Sequence, residues 1–255
     1  MISIDLNCDL GEGLGIYTME SDKSILPLIT SANIACGFHG GDPSVMRKTV
    51  SLCREHQVRP GAHPGLPDLL GFGRRKMDIS PRDAADYVTY QTGAAMAFCR
   101  AQGIKLNHVK LHGALYNMAA GDYELSRAVC EAIQRIDPGL VLLASGTSQM
   151  VKAARDTGLR CACEVFADRA YMPDGSLAPR TMEGAVIEDE GEAALRVVRM
   201  ALLGVVEAVD GTAVPVRADS VCVHGDSPKA LAFVRRIRKE LEAAGIQVAP
   251  FSNTL

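Results

Sequence analysis

The chain alternates short apolar segments with longer amphipathic segments along its whole length. Short apolar or alternating runs predict strands, which lie at 2–8, 31–36, 58–62, 108–112, 140–144, 160–166 and 220–224, with an eighth at 246–250. Apolar residues at helical spacing predict helices between them, at 20–30, 43–56, 81–102, 122–136, 147–157, 189–208 and 227–244. This alternation is typical of parallel strands in a barrel or in an open doubly wound sheet.

The boundaries of these segments indicate one continuous domain. Asp42 and Ser80 each precede a proline, the arrangement that starts a helix with a capping side chain. The longest irregular stretch, 166–187, has the length of a lid or binding loop. No linker, low-complexity tract or charge block divides the chain, so we expect one domain over residues 1–255.

Composition restricts the classes of partner. The net charge is −3, from 27 basic and 30 acidic residues, so neither nucleic acid nor an anionic membrane is an expected partner. The eight cysteines lie in apolar or helical patterns, which indicates buried thiols and not a disulfide framework or a zinc finger. The chain starts directly with a strand and has no run of ~18 apolar residues. We therefore expect a soluble, cytoplasmic protein.

Histidines recur at the ends of the predicted strands. Four of the six in the chain stand immediately before a small or turn-forming residue, namely His39, His63, His112 and His224. The carboxyl ends of strands in barrels and open α/β sheets gather at one face, where active sites lie. We expect these four side chains to line a shared pocket.

Charged residues also share a face on two predicted strands. Asp5, Asn7 and Asp9 alternate along the first strand, and inward-facing acids are costly to bury unless they are paired or bind a ligand. Lys110 and His112 share a face of the fourth strand, where a lysine can bind an anion or transfer a proton. Two alternatives stay open: solvated acids on an exposed edge strand, and a structural ion pair between Lys110 and a first-strand acid.

Other polar residues stand at or near the same strand ends. They are Asn33, Arg74, Tyr116, Glu164 and Arg169. The two guanidinium groups suit a carboxylate or a phosphate. The sequence has no Walker-type phosphate loop, no dinucleotide-binding glycine motif after a strand and no nucleophile elbow. The glycine-rich segment 11–15 contains Glu12, which would repel a pyrophosphate.

These motifs, in their order along the chain, resemble the LamB/YcsF family. They are 5–12 (DLNCDLGE), 33–42 (NIACGFHGGD), 61–64 (GAHP), 71–74 (GFGR), 109–116 (VKLHGALY), 164–171 (EVFADRAY) and 223–226 (VHGD). The resemblance implies an α/β fold, a (β/α) barrel of about seven parallel strands similar to the glycoside hydrolase and polysaccharide deacetylase superfamily.

The resemblance also implies an activity. Bacterial members of this family are the A subunit of the ATP-dependent 5-oxoprolinase, which opens 5-oxo-L-proline to L-glutamate with hydrolysis of ATP and acts with subunits B and C. ATP, with Mg, is then the expected co-substrate. A five-membered lactam is resonance-stabilised and resists attack by water, so ATP coupling suggests that the amide oxygen is activated by phosphorylation.

On this interpretation the motif residues receive expected roles. The predicted catalytic residues are Asp9, His39, Lys110 and His112. The predicted substrate-binding residues are Asp5, Asn7, Asn33, His63, Arg74, Tyr116, Glu164, Arg169 and His224. Lys110, Arg74 and Arg169 would supply positive charge for phosphates, and the candidates for the base are Asp9, His39, His63 and His112.

Two rival functions and one cofactor question stay open. Deacetylase relatives hold a metal with one aspartate and two histidines, which Asp9, His39 and His112 resemble. Spacing alone does not establish such a site, so no residue is assigned as a metal ligand. The rivals are a metal-dependent, deacetylase-like hydrolase that acts without ATP, and a non-catalytic subunit that binds substrate or lets partners assemble.

Overall fold

The computed structural model describes residues 2–17, 21–223 and 230–251. Its strands, in chain order, are β1 (Ser3–Leu10), β2 (Ser31–Ala35), β3 (Arg59–His63), β4 (His108–Val109), β5 (Val141–Ser145), β6 (Arg160–Phe166), β7 (Val205–Glu207), β8 (Ala213–Pro215), β9 (Ser220–Val223) and β10 (Gln247–Val248). Within the described ranges, β1 to β6 and β9 form a parallel sheet that the pairing of β1 with β9 closes into a seven-stranded barrel. The predicted barrel is confirmed, and the open sheet is excluded.

Helices connect the strands and cover the outside of the barrel. They are α1 (Ser21–Ile25), a 3-10 turn (Leu26–Leu28), α2 (Pro43–His56), α3 (Pro81–Ala101), α4 (Gly113–Gly121), α5 (Tyr123–Ile136), α6 (Gln149–Thr157), α7 (Glu190–Leu203) and α8 (Ala230–Ala243). Asp42 caps α2 by accepting hydrogen bonds from two backbone N–H groups, and Ser80 caps α3 in a reciprocal pair with Asp83. None of the helices in the described ranges has the length and apolar character needed to span a membrane.

The structure corrects the end of one predicted helix and adds a helix that was not predicted. The helix predicted at 189–208 ends at Leu203, because Gly204 adopts a left-handed conformation (φ 62°) and terminates it. The valine-rich segment that follows pairs as β7 with β8 instead. Helix α4 was not predicted, and it starts directly after His112. The eighth predicted strand is β10, which pairs with β1 outside the closed ring.

The barrel interior is polar for most of its height. Outward side chains such as Leu6, Ile34 and Val221 pack in the main apolar core. Inward side chains include carboxylates, amides, histidines and a lysine, and they hydrogen-bond one another: Asp5, Asn7, Asp9, Ser31, Asn33, His63, His108, Lys110, Glu164, Ser220 and Cys222. A small apolar cluster that includes Val141 and Phe251 lies beneath them. This polar column leads to the carboxyl ends of the strands, where the candidate site lies.

Candidate active site

The lowest polar layer surrounds Asp5, and its hydrogen bonds are satisfied internally. One carboxylate oxygen accepts hydrogen bonds from the hydroxyls of Thr30 (2.6 Å) and Ser31 (2.7 Å). The other accepts one from Ser220. Burial raises the pKa of Asp5 to about 6, although the three hydroxyl donors act in the opposite direction. Asp5, predicted to bind substrate, therefore lies among hydroxyls of the barrel wall and away from the strand ends.

The middle layer is organised around Lys110. Its ammonium lies 3.0 Å from Asp9 Oδ1 and 3.2 Å from Glu164 Oε2. It also lies 3.3 Å from Asn7 Oδ1 and 3.0 Å from Cys222 Sγ. Burial acts to lower the pKa of Lys110, but the Asp9 and Glu164 carboxylates outweigh it and hold this pKa well above its ordinary value. Lys110 is therefore a fixed cation whose protons are directed at the barrel's own acceptors.

Asn33 connects this layer to a histidine that the sequence did not assign to the site. Its amide nitrogen donates to Asn7 Oδ1 and Asp9 Oδ1, both at 2.7 Å. Its oxygen lies 2.7 Å from Nε2 of His108, which must therefore carry the proton. Burial lowers the pKa of His108 to about 3, so the ring is neutral. Its neighbour on β3 is Gly61, where any side chain would overlap the imidazole.

At the strand ends, His63 and His112 face each other. Nδ1 of His63 lies 2.8 Å from the Lys110 carbonyl oxygen, and Nε2 of His112 lies 2.8 Å from the Phe72 carbonyl oxygen. A carbonyl oxygen only accepts hydrogen bonds, so each of these ring nitrogens carries a proton. The remaining nitrogens, His63 Nε2 and His112 Nδ1, lie 3.0 Å apart. In the neutral rings, both present lone pairs to the same point.

His39 and Glu12 complete this group. The His39 ring stacks on His112 with centroids 3.6 Å apart and planes 3° from parallel. Glu12 Oε1 lies 3.4 Å from His39 Nε2 and 3.6 Å from His112 Nδ1. One donor atom from each of Glu12, His39, His63 and His112 lies within 4.8 Å of the other three, and all four residues are buried. We call these four residues the histidine–glutamate cluster.

Two histidines of the cluster, His39 and His112, are held neutral. Burial lowers the pKa of His39 well below its ordinary value, and the neighbouring His112 and His63 act in the same direction. Burial likewise lowers the pKa of His112 to about 3. Asp9 Oδ2 lies 3.4 Å from His63 Nε2 and so links the cluster to the Lys110 layer. The arrangement can therefore bind a cation or orient a water molecule between neutral imidazoles and two carboxylates.

A loop between β3 and α3 covers the cluster, and we call residues 68–75 the covering loop. The Phe72 ring lies 5.7 Å from the His39 ring and 5.2 Å from the His112 ring, centroid to centroid. Phe72 has a positive φ of 52°, which is strained for a residue with a side chain. Gly73 follows with φ 63°, and a Cβ there would lie 2.7 Å from His39 Cβ and 2.8 Å from His112 Cδ2. The loop thus packs directly on the stacked imidazoles.

Two predicted arginines lie beside this covered site. The Arg74 guanidinium stacks over Phe72 at 4.9 Å from the ring centroid. Arg169 is buried and donates to the Ala178 carbonyl oxygen at 2.5 Å. Burial lowers the pKa of Arg169 to about 10, and Arg180 and Arg74 contribute to the same effect. Guanidinium groups close enough to disfavour each other's charge are suited to an anionic ligand.

The structure brings most of the predicted site residues into one connected network. These are Asn7, Asp9, Asn33, His39, His63, Lys110, His112 and Glu164. Tyr116 lies next to it, buried against Phe166, and burial together with the Glu164 carboxylate raises its pKa well above its ordinary value. Asp5 joins it at its lower end, through the Ser220 hydroxyl that donates to Asp5 and accepts from the Asn7 amide, and His224 lies outside the described residues.

Sequence reasoning did not assign Glu12 and His108 to the site. From the sequence, Glu12 counts only as an obstacle to pyrophosphate binding. Glu12 stands just after the first strand, as the histidines stand at the ends of other strands, and this position could have assigned it to the site. His108 stands two residues before Lys110 and four before His112 in the strand predicted at 108–112, and this spacing could have identified it, although β4 itself ends at Val109.

Comparison with known proteins places this geometry in a family. The LamB/YcsF family profile matches residues 4–255. The chain is 55% identical over 252 residues to a protein of Bacillus subtilis strain 168 named as the A subunit of 5-oxoprolinase, covering 99% of this chain and 98% of that one. It is 48% identical to a lactam utilization protein of Thermus thermophilus of known crystal structure, with a TM-score of 0.93 over 98% of this chain and all of that one.

A more distant solved structure shares the fold. A family 4 carbohydrate esterase from Streptomyces lividans superimposes with a TM-score of 0.51 at 11% identity, over 99% of this chain and 94% of that one. Since the family profile covers nearly the whole chain and the sequence similarity is full-length, the chain belongs to the LamB/YcsF family.

Proposed function

We propose that this chain, acting as one barrel domain over residues 1–255, is the lactam-opening subunit of an ATP-dependent 5-oxoprolinase. The reaction is cleavage of 5-oxo-L-proline to L-glutamate with hydrolysis of ATP to ADP and phosphate. The full-length similarity to a protein named as the A subunit of 5-oxoprolinase supports the substrate. The observation that carries the proposal is the network at the strand ends, where Asp9 connects the fixed Lys110 ammonium to the imidazole of His63.

The reaction needs a base for water and an acid for the ring nitrogen. Phosphorylation of the amide oxygen makes the carbonyl carbon electrophilic. Water then adds to that carbon and gives up a proton. The carbon–nitrogen bond breaks as the nitrogen takes up protons to become the amine. The acyl phosphate that remains is hydrolysed by a second water, which releases phosphate. Positioned acid–base groups contribute about 10²- to 10⁴-fold to such proton transfers.

Asp9 is the base in this proposal. Its Oδ1 accepts hydrogen bonds from Lys110 and Asn33, which fixes the orientation of the carboxylate. Its Oδ2 points towards His63 Nε2 and hence towards the place where a water would lie. Lys110 touches only groups of the barrel here, so it acts as a positioning residue that keeps Asp9 and Glu164 oriented.

Arg74 and Arg169 are proposed to bind the anionic groups of the reactants. 5-Oxoproline carries a carboxylate, and the activated intermediate carries a phosphoryl group. A carboxylate and a phosphoryl group each offer two or more oxygens, which a guanidinium group can bind with paired hydrogen bonds. Arg74 is exposed on the covering loop itself, whereas Arg169 is buried. The pair therefore reaches from the surface to the interior of the site.

Partners are proposed to open or complete the site. Each member of the histidine–glutamate cluster is buried, and Phe72 lies across it, so a molecule as large as 5-oxoproline requires movement of the covering loop. No phosphate-cradling motif is recognisable in the sequence. Subunits B and C are therefore proposed to supply the binding site for ATP and Mg and to move the covering loop on docking.

The test is an assay of purified subunits. The chain alone and the chain with subunits B and C are given 5-oxoproline, with and without ATP and Mg, and both glutamate and ADP are measured. We expect coupled release of both products only from the complex. We expect Asp9→Asn to lower this rate by about 100-fold or more, whereas His56→Ala, at an exposed histidine on α2, keeps the wild-type rate.

The rival functions predict different results from the same assay. ATP-independent acetate release from an acetylated sugar by the chain alone would support a deacetylase-like hydrolase. A fully active complex containing Asp9→Asn would instead support a non-catalytic binding subunit. Either result would overturn the proposed function.

A further inference from the structure

In the histidine–glutamate cluster, ring nitrogens that accept hydrogen bonds lie close together without a donor between them. Backbone carbonyls hold the protons of His63 and His112 on the nitrogens that face away from the cluster. Two lone pairs therefore meet at 3.0 Å between His63 Nε2 and His112 Nδ1. Lone pairs at this distance repel each other unless a positive centre lies between them.

His39 shows the same need. Its ring is buried, and neither ring nitrogen has a hydrogen-bond partner among the residues that the structure describes. Leaving a buried polar group without a partner costs about 1–3 kcal/mol. The nearest carboxylate oxygen, Glu12 Oε1, lies 3.4 Å from His39 Nε2, which is longer than a normal charge-assisted hydrogen bond.

We propose that Glu12, His39, His63 and His112 form a binding site for one divalent transition-metal ion of the Zn²⁺ type. In a tetrahedral site with metal–nitrogen bonds of about 2.0–2.1 Å, neighbouring donor atoms lie about 3.3–3.4 Å apart. Three of the six donor pairs in the cluster are 3.0, 3.4 and 3.6 Å apart, and the other three lie within 4.8 Å. The cluster is thus close to the required size before any ion is added.

The surroundings of the donors match a metal site as well. The outer nitrogen of a metal-bound histidine usually donates to a carbonyl or carboxylate, which fixes the tautomer and the ring orientation. His63 and His112 do this through the carbonyl oxygens of Lys110 and Phe72. A single proton shared between these two rings is the competing explanation. It accounts for the 3.0 Å contact but leaves the buried ring nitrogens of His39, which belongs to the same cluster, without a partner among the described residues.

The donor set also distinguishes this ion from the Mg²⁺ that accompanies ATP. Mg²⁺ prefers oxygen ligands and retains several waters. Three imidazoles with one carboxylate favour a borderline ion such as Zn²⁺, Co²⁺ or Ni²⁺. Asp9 is not one of the four because Lys110 and Asn33 hold its Oδ1. Once bound, the ion would polarise a nearby oxygen atom, and the four residues of the cluster would hold the ion in place.

The inference does not depend on the proposed function, and its test measures binding. The purified full-length chain is stripped with a chelator, checked for folding by circular dichroism and titrated calorimetrically with Zn²⁺ and, separately, with Mg²⁺. We expect one equivalent of Zn²⁺ to bind and Mg²⁺ not to compete. Co²⁺ in place of Zn²⁺ should give the visible absorption of a tetrahedral site, a readout that needs no activity.

Variants assign the binding to these residues. We expect His63→Ala and Glu12→Gln each to weaken Zn²⁺ binding, His63→Ala by about 100-fold or more. His56→Ala and Cys161→Ser are matched controls, since His56 is exposed and Cys161 is the least buried of the eight free cysteines. Both controls should bind as the wild type does. A folded, stripped chain that takes up no Zn²⁺, or His63→Ala and Glu12→Gln variants that bind it normally, would overturn the inference.

Discussion

The lowest and the highest polar layers of the barrel interior are both buried, yet they are built on opposite plans. Asp5 is surrounded by three hydroxyl donors, and each of its oxygens accepts at least one hydrogen bond. In the histidine–glutamate cluster, lone pairs face one another, and His39 has no hydrogen-bond partner among the described residues. A satisfied buried network stabilises a fold, whereas an unsatisfied one costs stability and is kept for binding or chemistry.

Lys110 lies between these two layers, and we expect its removal to have the largest effect on the free energy of unfolding. Lys110→Ala leaves the Asp9 and Glu164 carboxylates buried without their cation. Breaking a buried ion pair on one side costs about 3–5 kcal/mol. Urea unfolding should show a loss of this size. Lys152→Ala removes an exposed ion pair to Asp156 of similar length, 2.9 Å, and should leave the unfolding free energy nearly unchanged. Equal losses of unfolding free energy in Lys110→Ala and Lys152→Ala would show that burial does not determine how much an ion pair contributes to stability.

Gly73→Ala tests how closely the covering loop fits the upper layer. The new Cβ would meet His39 and His112 below normal contact distance, so the two rings must move. Displacing reacting groups by about 1 Å can cost about 100-fold in rate, and we expect at least this loss of glutamate release by the complex. Gly103→Ala has a similar positive φ (73°) but no atom within 4 Å of the new Cβ. It should share the backbone strain and keep its turnover.

Asp5→Asn sharpens the comparison through pH. The folded pKa of Asp5, about 6, lies above its unfolded value of 3.8, so protonation stabilises the wild type at low pH. This advantage is complete below the unfolded pKa and is lost as pH rises through 6. Relative to Asp5→Asn, the wild type should therefore lose about 2–3 kcal/mol of unfolding free energy between about pH 4 and pH 7. A difference that does not vary with pH would contradict this assignment.

Arg74→Ala is expected to have the smallest effect of the four. Arg74 is exposed beside the site, so its loss weakens anion binding without disturbing the layers below it. A charge-assisted hydrogen bond contributes about 1.5–3 kcal/mol, and we expect KM for 5-oxoproline to rise about tenfold or more with a smaller change in kcat. Arg100→Ala, also exposed, is the control. A fall in kcat with KM unchanged would place Arg74 in the chemical step instead.

The sequence predicted the scaffold of the site better than its contacts. Two-residue alternation placed Asp5, Asn7 and Asp9 on one face, and the positions of the histidines indicated that they would meet at the strand ends. The histidine tautomers depend on backbone carbonyls 47 and 40 residues away along the chain, which no local pattern encodes. Glu12 lies in a loop, where periodicity gives no direction for a side chain.

The same limit explains why the sequence groups Asp5 with Asp9. Both are aspartates on the inward face of β1, and the alternation along the strand does not show which side chains each of them meets. Only the closed barrel reveals that Asp5 meets hydroxyls from Thr30, Ser31 and Ser220, whereas Asp9 meets an ammonium and an imidazole. The difference arises from neighbouring strands, and it separates a carboxyl group enclosed by hydroxyl donors from a chemically available one.

The most direct measurement therefore makes the same substitution in both layers. The turnover of the complex and the unfolding free energy of the chain, with a chelator present during unfolding, are compared for Asp9→Asn and Asp5→Asn. An asparagine side chain in place of Asp9 can accept from Lys110 and donate to His63, and Glu164 still pairs with the lysine. We therefore expect a smaller loss of stability than in Lys110→Ala, with turnover lowered by about 100-fold or more. The difference in unfolding free energy between the wild type and Asp5→Asn should vary with pH, because only the wild type titrates at this position. The turnover of Asp5→Asn should stay near that of the wild type. Normal turnover in Asp9→Asn, or an equal loss in both variants, would contradict the division of the barrel into a stabilising layer and a reactive one.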